Sequence, residues 1–234
     1  KDRLTASDIS SILGKNAYMS RNQLMIRKCT PYKHTKPPKA CIHGIKYEAV
    51  ATELYEILKQ VHIIEYGCVP HAKSAIIGAS PDGITKDGVM LEIKCPWKRK
   101  IIGIPPIYYW CQMQTQLEVC GLNQCDYMEC EIIEYDGYDD YIEDSMEGNE
   151  YLSKDSCWKG MLLTYVDSVD EKGPNYKYKE QRFSEMNISS EEWMDQMFVW
   201  LEEHKKTFNT FCGKISFLKN TIDLSFIIFN ITIC

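Results

Sequence analysis

The sequence has no run of about 18 or more apolar residues, the length a helix needs to cross a bilayer. Its most apolar stretch, Ile215 to Cys234, is interrupted by Lys219, Asn220 and Asp223, so no membrane helix is expected. It has eleven cysteines but no Cys-x-x-Cys pair. Cys120, Cys125 and Cys130, five residues apart, match neither zinc nor iron–sulfur spacing, so the thiols read as reduced core side chains. No repeat of solenoid or propeller length is present, and no signal peptide is legible after Lys1.

Net positive charge is also lacking: 27 Lys and Arg against 33 Asp and Glu leave −6, which argues against a surface that is basic throughout. The mean conceals a division. Residues 1–100 carry 17 basic and 9 acidic residues (+8), and residues 101–234 carry 10 and 24 (−14), which together give the −6. One polyanion-facing surface beside one solvated or partner-facing surface is the expectation.

With 234 residues, 44% hydrophobic and 26% charged, the chain can bury the core of one mixed domain. The expected division is a single domain over residues 1–214 with a long acidic loop over 136–150, followed by a tail over 215–234.

Leu4 to Asn16 reads as a cap and short helix, with Ser7 or Thr5 as N-cap and Gly14 as the stop. A basic loop punctuated by Pro31, Pro37 and Pro38 covers Arg27 to Lys39, and a helix carrying Glu48 covers Gly44 to Gln60. Strands are expected over Ser74 to Ala79 and Gly88 to Lys94, joined as a hairpin through Asp87-Gly88. Tyr108 to Cys120 has helical periodicity and ends at Gly121. Tyr127 to Tyr135, Gly160 to Val166 and Tyr176 to Phe183 read as strands. Ser189 and Glu192 form a capping box ahead of Trp193, Met197, Trp200, Leu201, His204 and Phe208 at helical spacing. The expected fold is α/β, a central mixed sheet flanked by helices.

The chemistry concentrates on Asp82, Glu92 and Lys94. In the second strand Leu91 and Ile93 alternate with Glu92 and Lys94, so the Glu and Lys share a face, about 7 Å apart along the strand. A hairpin brings Asp82, ten residues before Glu92, alongside, and the carbonyl of Ile93 lies between the two. Two carboxylates, a carbonyl and an ammonium suit Mg2+-assisted phosphodiester hydrolysis. A lone Glu-x-Lys is a commonplace surface ion pair; an Asp ten residues ahead of it is much rarer.

GIKYEAVATELYE (Gly44 to Glu56), GASPDGI (Gly78 to Ile84), LEIKCPW (Leu91 to Trp97) and YWCQMQTQLEVCG (Tyr109 to Gly121) occur in this order, after an opening TASDISSILGKN. In order and spacing this resembles the YqaJ-like viral recombinase family, that of phage lambda exonuclease, within the PD-(D/E)XK (restriction-endonuclease-like) nucleases. The likeness runs from about Leu4 to Met128.

The resemblance implies a Mg2+-dependent deoxyribonuclease, with Mn2+ able to substitute and two ions bound. Asp82 would bridge the ions, Glu92 and the Ile93 carbonyl would ligate, and Glu48 would reach a metal through water. Lys94 would orient the attacking water, and Gln112 would sit beside the scissile strand. Gln114 and Gln116 are expected as packing or solvent residues.

Ser7 would bind a terminal 5'-phosphate, or simply cap its helix. The family's phosphate-binding arginine would fall at or before Lys1, which leaves Arg3 as the nearest substitute. Lys98, Arg99 and Lys100, after the active strand, would grip phosphates. Trp97, Tyr108 and Tyr109 are expected in the aromatic core.

The activity implied is 5'-to-3' degradation of one strand from duplex DNA ends, leaving 3' overhangs for recombination or viral genome processing. An endonuclease or RecB-like module, and an inactive DNA-binding recombination scaffold, stay open beside it. A single-strand annealing protein and a homo-oligomeric ring are possible partners. The location implied is intracellular, in host cytoplasm or nucleus for a viral protein.

Overall fold

In the computed structural model, residues 3–31, 37–166, 174–179, 188–205, 212–221 and 229–232 are described. The first half runs β1 (Leu4–Thr5), α1 (Ala6–Ile12), α2 (Arg21–Cys29), α3 (Lys39–Lys59), β2 (Ile63–Ile64), β3 (Val69–His71), β4 (Ser74–Ala79), β5 (Gly83–Thr85) and β6 (Val89–Lys94). Then follow α4 (Ile107–Cys120), β7 (Gln124–Glu129), β8 (Glu131–Glu134), α5 (Tyr138–Glu143), β9 (Ser145–Met146), β10 (Asn149–Ser153), β11 (Lys159–Val166), β12 (Asn175–Tyr178), α6 (Ser190–Lys205), β13 (Cys212–Thr221) and β14 (Phe229–Thr232). The α/β expectation is met. Among the described residues no helix is long and apolar enough to cross a membrane.

The chain divides into two units, one of Lys1–Gly44, Leu58–Glu129 and Asp223–Cys234, the other of Ile45–Ile57 and Cys130–Ile222. In the first, a five-stranded mixed sheet has the order β14-β7-β6-β5-β2, with β6 at its centre. β6 pairs antiparallel with β5, Gly83 opposite Leu91, and parallel with β7, Lys94 opposite Glu129. The Asp-Gly turn closes the β5–β6 hairpin, with Gly88 at φ 79°, a region open to a residue without Cβ.

The expected partner of β6 was the strand Ser74–Ala79, and this is corrected. That strand, β4, belongs to a separate sheet of order β1-β4-β3. Pro81 offers no N–H to a ladder, so the run breaks at Ser80-Pro81-Asp82 and re-enters the sheet as β5.

Helix α4 covers the sheet. Met113 and Leu117 pack on Met90, Cys125 and Tyr127, all fully buried; each large apolar side chain so removed from water contributes roughly 1.5–3 kcal/mol. Val119, on α4, meets Ala6 and Ala79. Gly121, at φ 66°, ends the helix as its sequence position indicates.

The second unit is built on an antiparallel sheet of order β12-β11-β13-β8. Tyr141 of α5 and Trp193 and Leu201 of α6 pack with Met161 and Leu163 of β11. The Ser189 half of the capping box is present, the Glu192 N–H donating to Ser189 Oγ at 3.1 Å.

Four further expectations change. The acidic stretch 136–150 is not one loop: it holds α5, β9 and the start of β10. The strand expected over Tyr127–Tyr135 is two, β7 and β8, in different sheets. Residues 215–221 form most of β13, between β11 and β8, and β14 pairs with β7, so much of the expected tail is sheet. Arg27 and Lys28 lie in the last turn of α2, a helix opened by a Ser20/Gln23 capping box. Lys33, His34, Lys36, Phe208 and the end of the Tyr176–Phe183 strand lie outside the described residues.

Candidate metal and DNA site

Strand β6 has both faces covered: Met90, Leu91 and Glu92 are fully buried, and Ile93 nearly so. Its alternation puts Glu92 and Lys94 on one face, as the sequence indicates, but does not leave that face to solvent. It separates two buried faces, one of which carries a charge. A buried carboxylate has to be compensated by hydrogen bonds or opposite charge, and Glu92 receives both. Its Oε1 accepts from Lys94 Nζ and, at 2.6 Å, from Gln112 Nε2; its Oε2 accepts from Gln116 Nε2 at 2.7 Å.

Asp82 immediately precedes β5, so the pairing of Gly83 with Leu91 places it alongside the Glu92–Ile93 segment. Its Oδ2 accepts the Ile93 N–H at 2.6 Å, which fixes the carboxylate through backbone. Burial alone would lower the Lys94 pKa, but Glu92, Asp82 and the hydrogen bond to Glu92 outweigh it and raise it, so the side chain is an ammonium. Lys94 Nζ also lies 5.2 Å from the centre of the Tyr109 ring.

Asp82, Glu92, Ile93, Lys94 and Gln112 are thus gathered in one place. Glu48 is exposed on α3, in the segment belonging to the second unit; its part in this site is carried by the resemblance alone. Gln116, expected as a packing or solvent residue, is fully buried and bonded to Glu92 and, at 3.2 Å, to the Ser80 carbonyl. Its i, i+4 spacing from Gln112 was the available signal.

The hard oxygen donors of Asp82, Glu92 and the Ile93 carbonyl fit Mg2+, which takes one or two carboxylates and keeps several waters. Among the described residues, no three or more His, Cys, Asp or Glu side chains gather in a way that could hold a metal ion.

The basic run behaves unevenly. Arg99 pairs with Glu129, which is nearly buried and also accepts from Tyr127 OH at 2.6 Å. Burial would lower the Arg99 pKa, but the Glu129 contact raises it; burial and Glu129 raise that of Tyr127. Arg99 lies 6.0 Å from the Tyr109 ring centre, so it and Lys94 share one aromatic neighbour. Lys98 and Lys100 are exposed, and Lys98 Nζ lies 4.4 Å from the centre of the half-exposed Trp97 ring. Trp97 is therefore not a core residue. Tyr108 and Tyr109 are partly buried, and Tyr108 meets the exposed Tyr18 edge-on.

Near α1, Thr5 rather than Ser7 is the N-cap. Ser7 is exposed, its Oγ 3.1 Å from Thr5 Oγ1. The adjacent Asp8 is buried and pairs with Arg27 and Lys28. Burial would raise its pKa, but hydrogen bonds from Lys28 and Thr5 lower it. Arg3 Nε donates to the Ala75 carbonyl at 3.0 Å, and Lys28 Nζ to the Arg3 carbonyl at 2.7 Å. Two cations of α2, Arg27 and Lys28, thus stand on Asp8 beside Ser7, while the Arg3 side chain is held at the Ala75 carbonyl.

An uncharacterized protein of Acanthamoeba polyphaga mimivirus is 34% identical over 185 residues, 71% of this chain and 34% of that protein. A protein of African swine fever virus is 27% identical over 171 residues, 53% of this chain and 49% of that protein. The chain thus spans about a third to a half of these viral relatives. The crystal structure of an alkaline exonuclease from Laribacter hongkongensis is 31% identical, covering 56% of this chain and 70% of that one, with a TM-score of 0.49. The family model described as "YqaJ-like viral recombinase domain" matches residues 1–123, more than half of the 234, and the chain belongs to that family.

Proposed function

We propose that this chain is a divalent-cation-dependent deoxyribonuclease of the PD-(D/E)XK type that degrades one strand of duplex DNA from an end, 5' to 3', leaving 3' overhangs. The observation that carries this is the convergence of Asp82, held by the Ile93 N–H, with a fully buried Glu92 that is bonded to both Lys94 and Gln112. A buried carboxylate beside an ammonium, next to a second carboxylate, suits phosphodiester hydrolysis better than a structural role. The Laribacter relative bears the name of an alkaline exonuclease.

Asp82, Glu92 and the Ile93 carbonyl would hold Mg2+ or Mn2+, one ion or two, with Glu48 contributing through water. The cation, when bound, neutralises charge developing on the phosphoryl oxygens. Lys94 supplies positive charge and donors beside the reacting phosphate and orients the attacking water; Gln112 supplies a neutral donor. Arg99, aimed by Glu129, with Lys98 and Lys100, holds the phosphate backbone. Ser7 would receive the terminal 5'-phosphate, with Arg3 and the two cations paired to the adjoining Asp8, Arg27 and Lys28, as candidate supports. A ring of copies and a single-strand annealing protein are the partners this activity fits.

The test is digestion of a labelled linear duplex beside a closed circle in Mg2+. Loss of label from the linear form alone is expected. Cutting of the circle would replace the exonuclease with an endonuclease, and inertness of the folded protein toward both would leave a DNA-binding scaffold.

A further inference from the structure

Two glutamines of α4, one helical turn apart, bond the same carboxylate in different ways. Gln112 shares Glu92 Oε1 with Lys94 on the partly exposed side of the site. Gln116 is fully buried, and its single amide nitrogen spans two acceptors on different segments, Glu92 Oε2 at 2.7 Å and the Ser80 carbonyl at 3.2 Å. Ser80 begins the Ser80-Pro81-Asp82 turn that delivers the other carboxylate. The orientation of this amide is determined, because reversing it would set its oxygen against two acceptors. Its Oε1 is buried without a hydrogen-bond partner. An apolar side chain would fill the position without an orphaned oxygen. What Gln116 adds over such a side chain is the pair of donor bonds.

We propose that Gln116 is a positioning residue that ties Glu92 to the Asp82 turn and so sets the spacing of the two carboxylates that receive the divalent cation. This rests on the cation site proposed above. Two other links join the same segments, the Gly83–Leu91 pairing and the Ile93 N–H bond to Asp82; neither holds the Glu92 side chain. Gln116 does, at the carboxylate oxygen that Lys94 and Gln112 leave. The two glutamines therefore divide the work. Gln116 preorganises the ligand, and Gln112 occupies an oxygen that an incoming cation competes for.

The test is binding of Mn2+ alone, by calorimetry or by loss of its free-ion electron spin resonance signal, to the full chain without DNA. Gln116→Met keeps the length and removes the donor. Gln116→Asn keeps an amide but is too short to span both acceptors, and guards against a misfolded first variant; circular dichroism establishes which are folded. Removing such an outer partner costs about 10- to 100-fold in metal affinity, so at least a tenfold weakening is expected in a folded Gln116 variant. Gln112→Met should weaken Mn2+ binding less than a folded Gln116 variant does, since the oxygen that Gln112 bonds is the one an incoming cation competes for.

In hydrolysis, excess Mg2+ should restore the Gln116 variants and not Gln112→Met. Wild-type Mn2+ affinity in folded Gln116→Met and Gln116→Asn would overturn the proposal. Wild type that binds no Mn2+, or binds it equally well after Asp82→Ala, would instead overturn the cation site itself.

Discussion

Replacing Lys94 with Met tests whether the buried charge of Glu92 depends on the lysine. Glu92 is 0% exposed, while about a fifth of the Lys94 side chain (21%) reaches the surface. Breaking a buried ion pair by removing one partner costs about 3–5 kcal/mol. Here Gln112 and Gln116 still donate to Glu92, and Lys94 is partly solvated, so about 2–3 kcal/mol is the better expectation.

For a chain of this size each kcal/mol moves the thermal midpoint by roughly 2–4 °C. Lys94→Met in a chelator should therefore unfold about 5–10 °C below wild type by differential scanning calorimetry. A divalent cation bound only by the folded protein stabilises it by linkage and replaces the missing positive charge. Saturating Mn2+ should thus raise the variant's midpoint more than that of wild type. Hydrolysis should stay low throughout, because the cation restores charge but not the donor. An unchanged midpoint for Lys94→Met in chelator would show that the pair does not sustain the buried carboxylate, and the site reading would fail with it.

Other expectations follow from single residues. Asp82→Ala should lower the rate of linear-duplex digestion by about a thousandfold or more, about 4 kcal/mol of barrier, while gel-shift binding of the duplex persists. In Gly83→Ala the new Cβ would stand 2.1 Å from Ile63 Cγ2; overpacking of this kind costs roughly 1–3 kcal/mol, and displacement of the adjoining Asp82 should reduce activity beyond what the melting point predicts. Glu134 accepts from Lys46 at 2.7 Å and from Tyr47 OH. Burial would raise its pKa, but these bonds bring it down to about 2 from 4.5. A carboxylate with a depressed folded pKa contributes stability that is fully present above 4.5 and lost as the pH falls toward 2. Acid unfolding of Glu134→Gln should therefore show a weaker pH dependence between those values; an identical profile would count against the contact.

The local signals in the sequence were sound where the chain decides by itself. The Asp87-Gly88 turn, the Gly121 stop of α4 and the Ser189 cap of α6 need only neighbouring residues, and each is present. The Asp82, Glu92 and Lys94 cluster was legible for the same reason, since a hairpin fixes which residues face one another. The Ser20/Gln23 box of α2 is equally local.

What the tertiary structure decided concerns partners distant in sequence. Periodicity reports that a face leaves water, but not what it meets. Thus the alternation in β6 puts Glu92 and Lys94 on one face, but only the fold shows that α4 covers this face and makes Glu92 a buried charge. The apolar run from Tyr127 gave no sign that it divides between two sheets, and the tail gave none that it pairs with β11, β8 and β7. Gln116 looked like one more polar residue on a helix. Only the packing of α4 over β6, 24 residues away in sequence, turned it into a buried donor to Glu92. The sequence alone determined which groups could perform the chemistry; the fold determined which of them are desolvated and aimed, because burial and pairing depend on long-range contacts that no local pattern encodes.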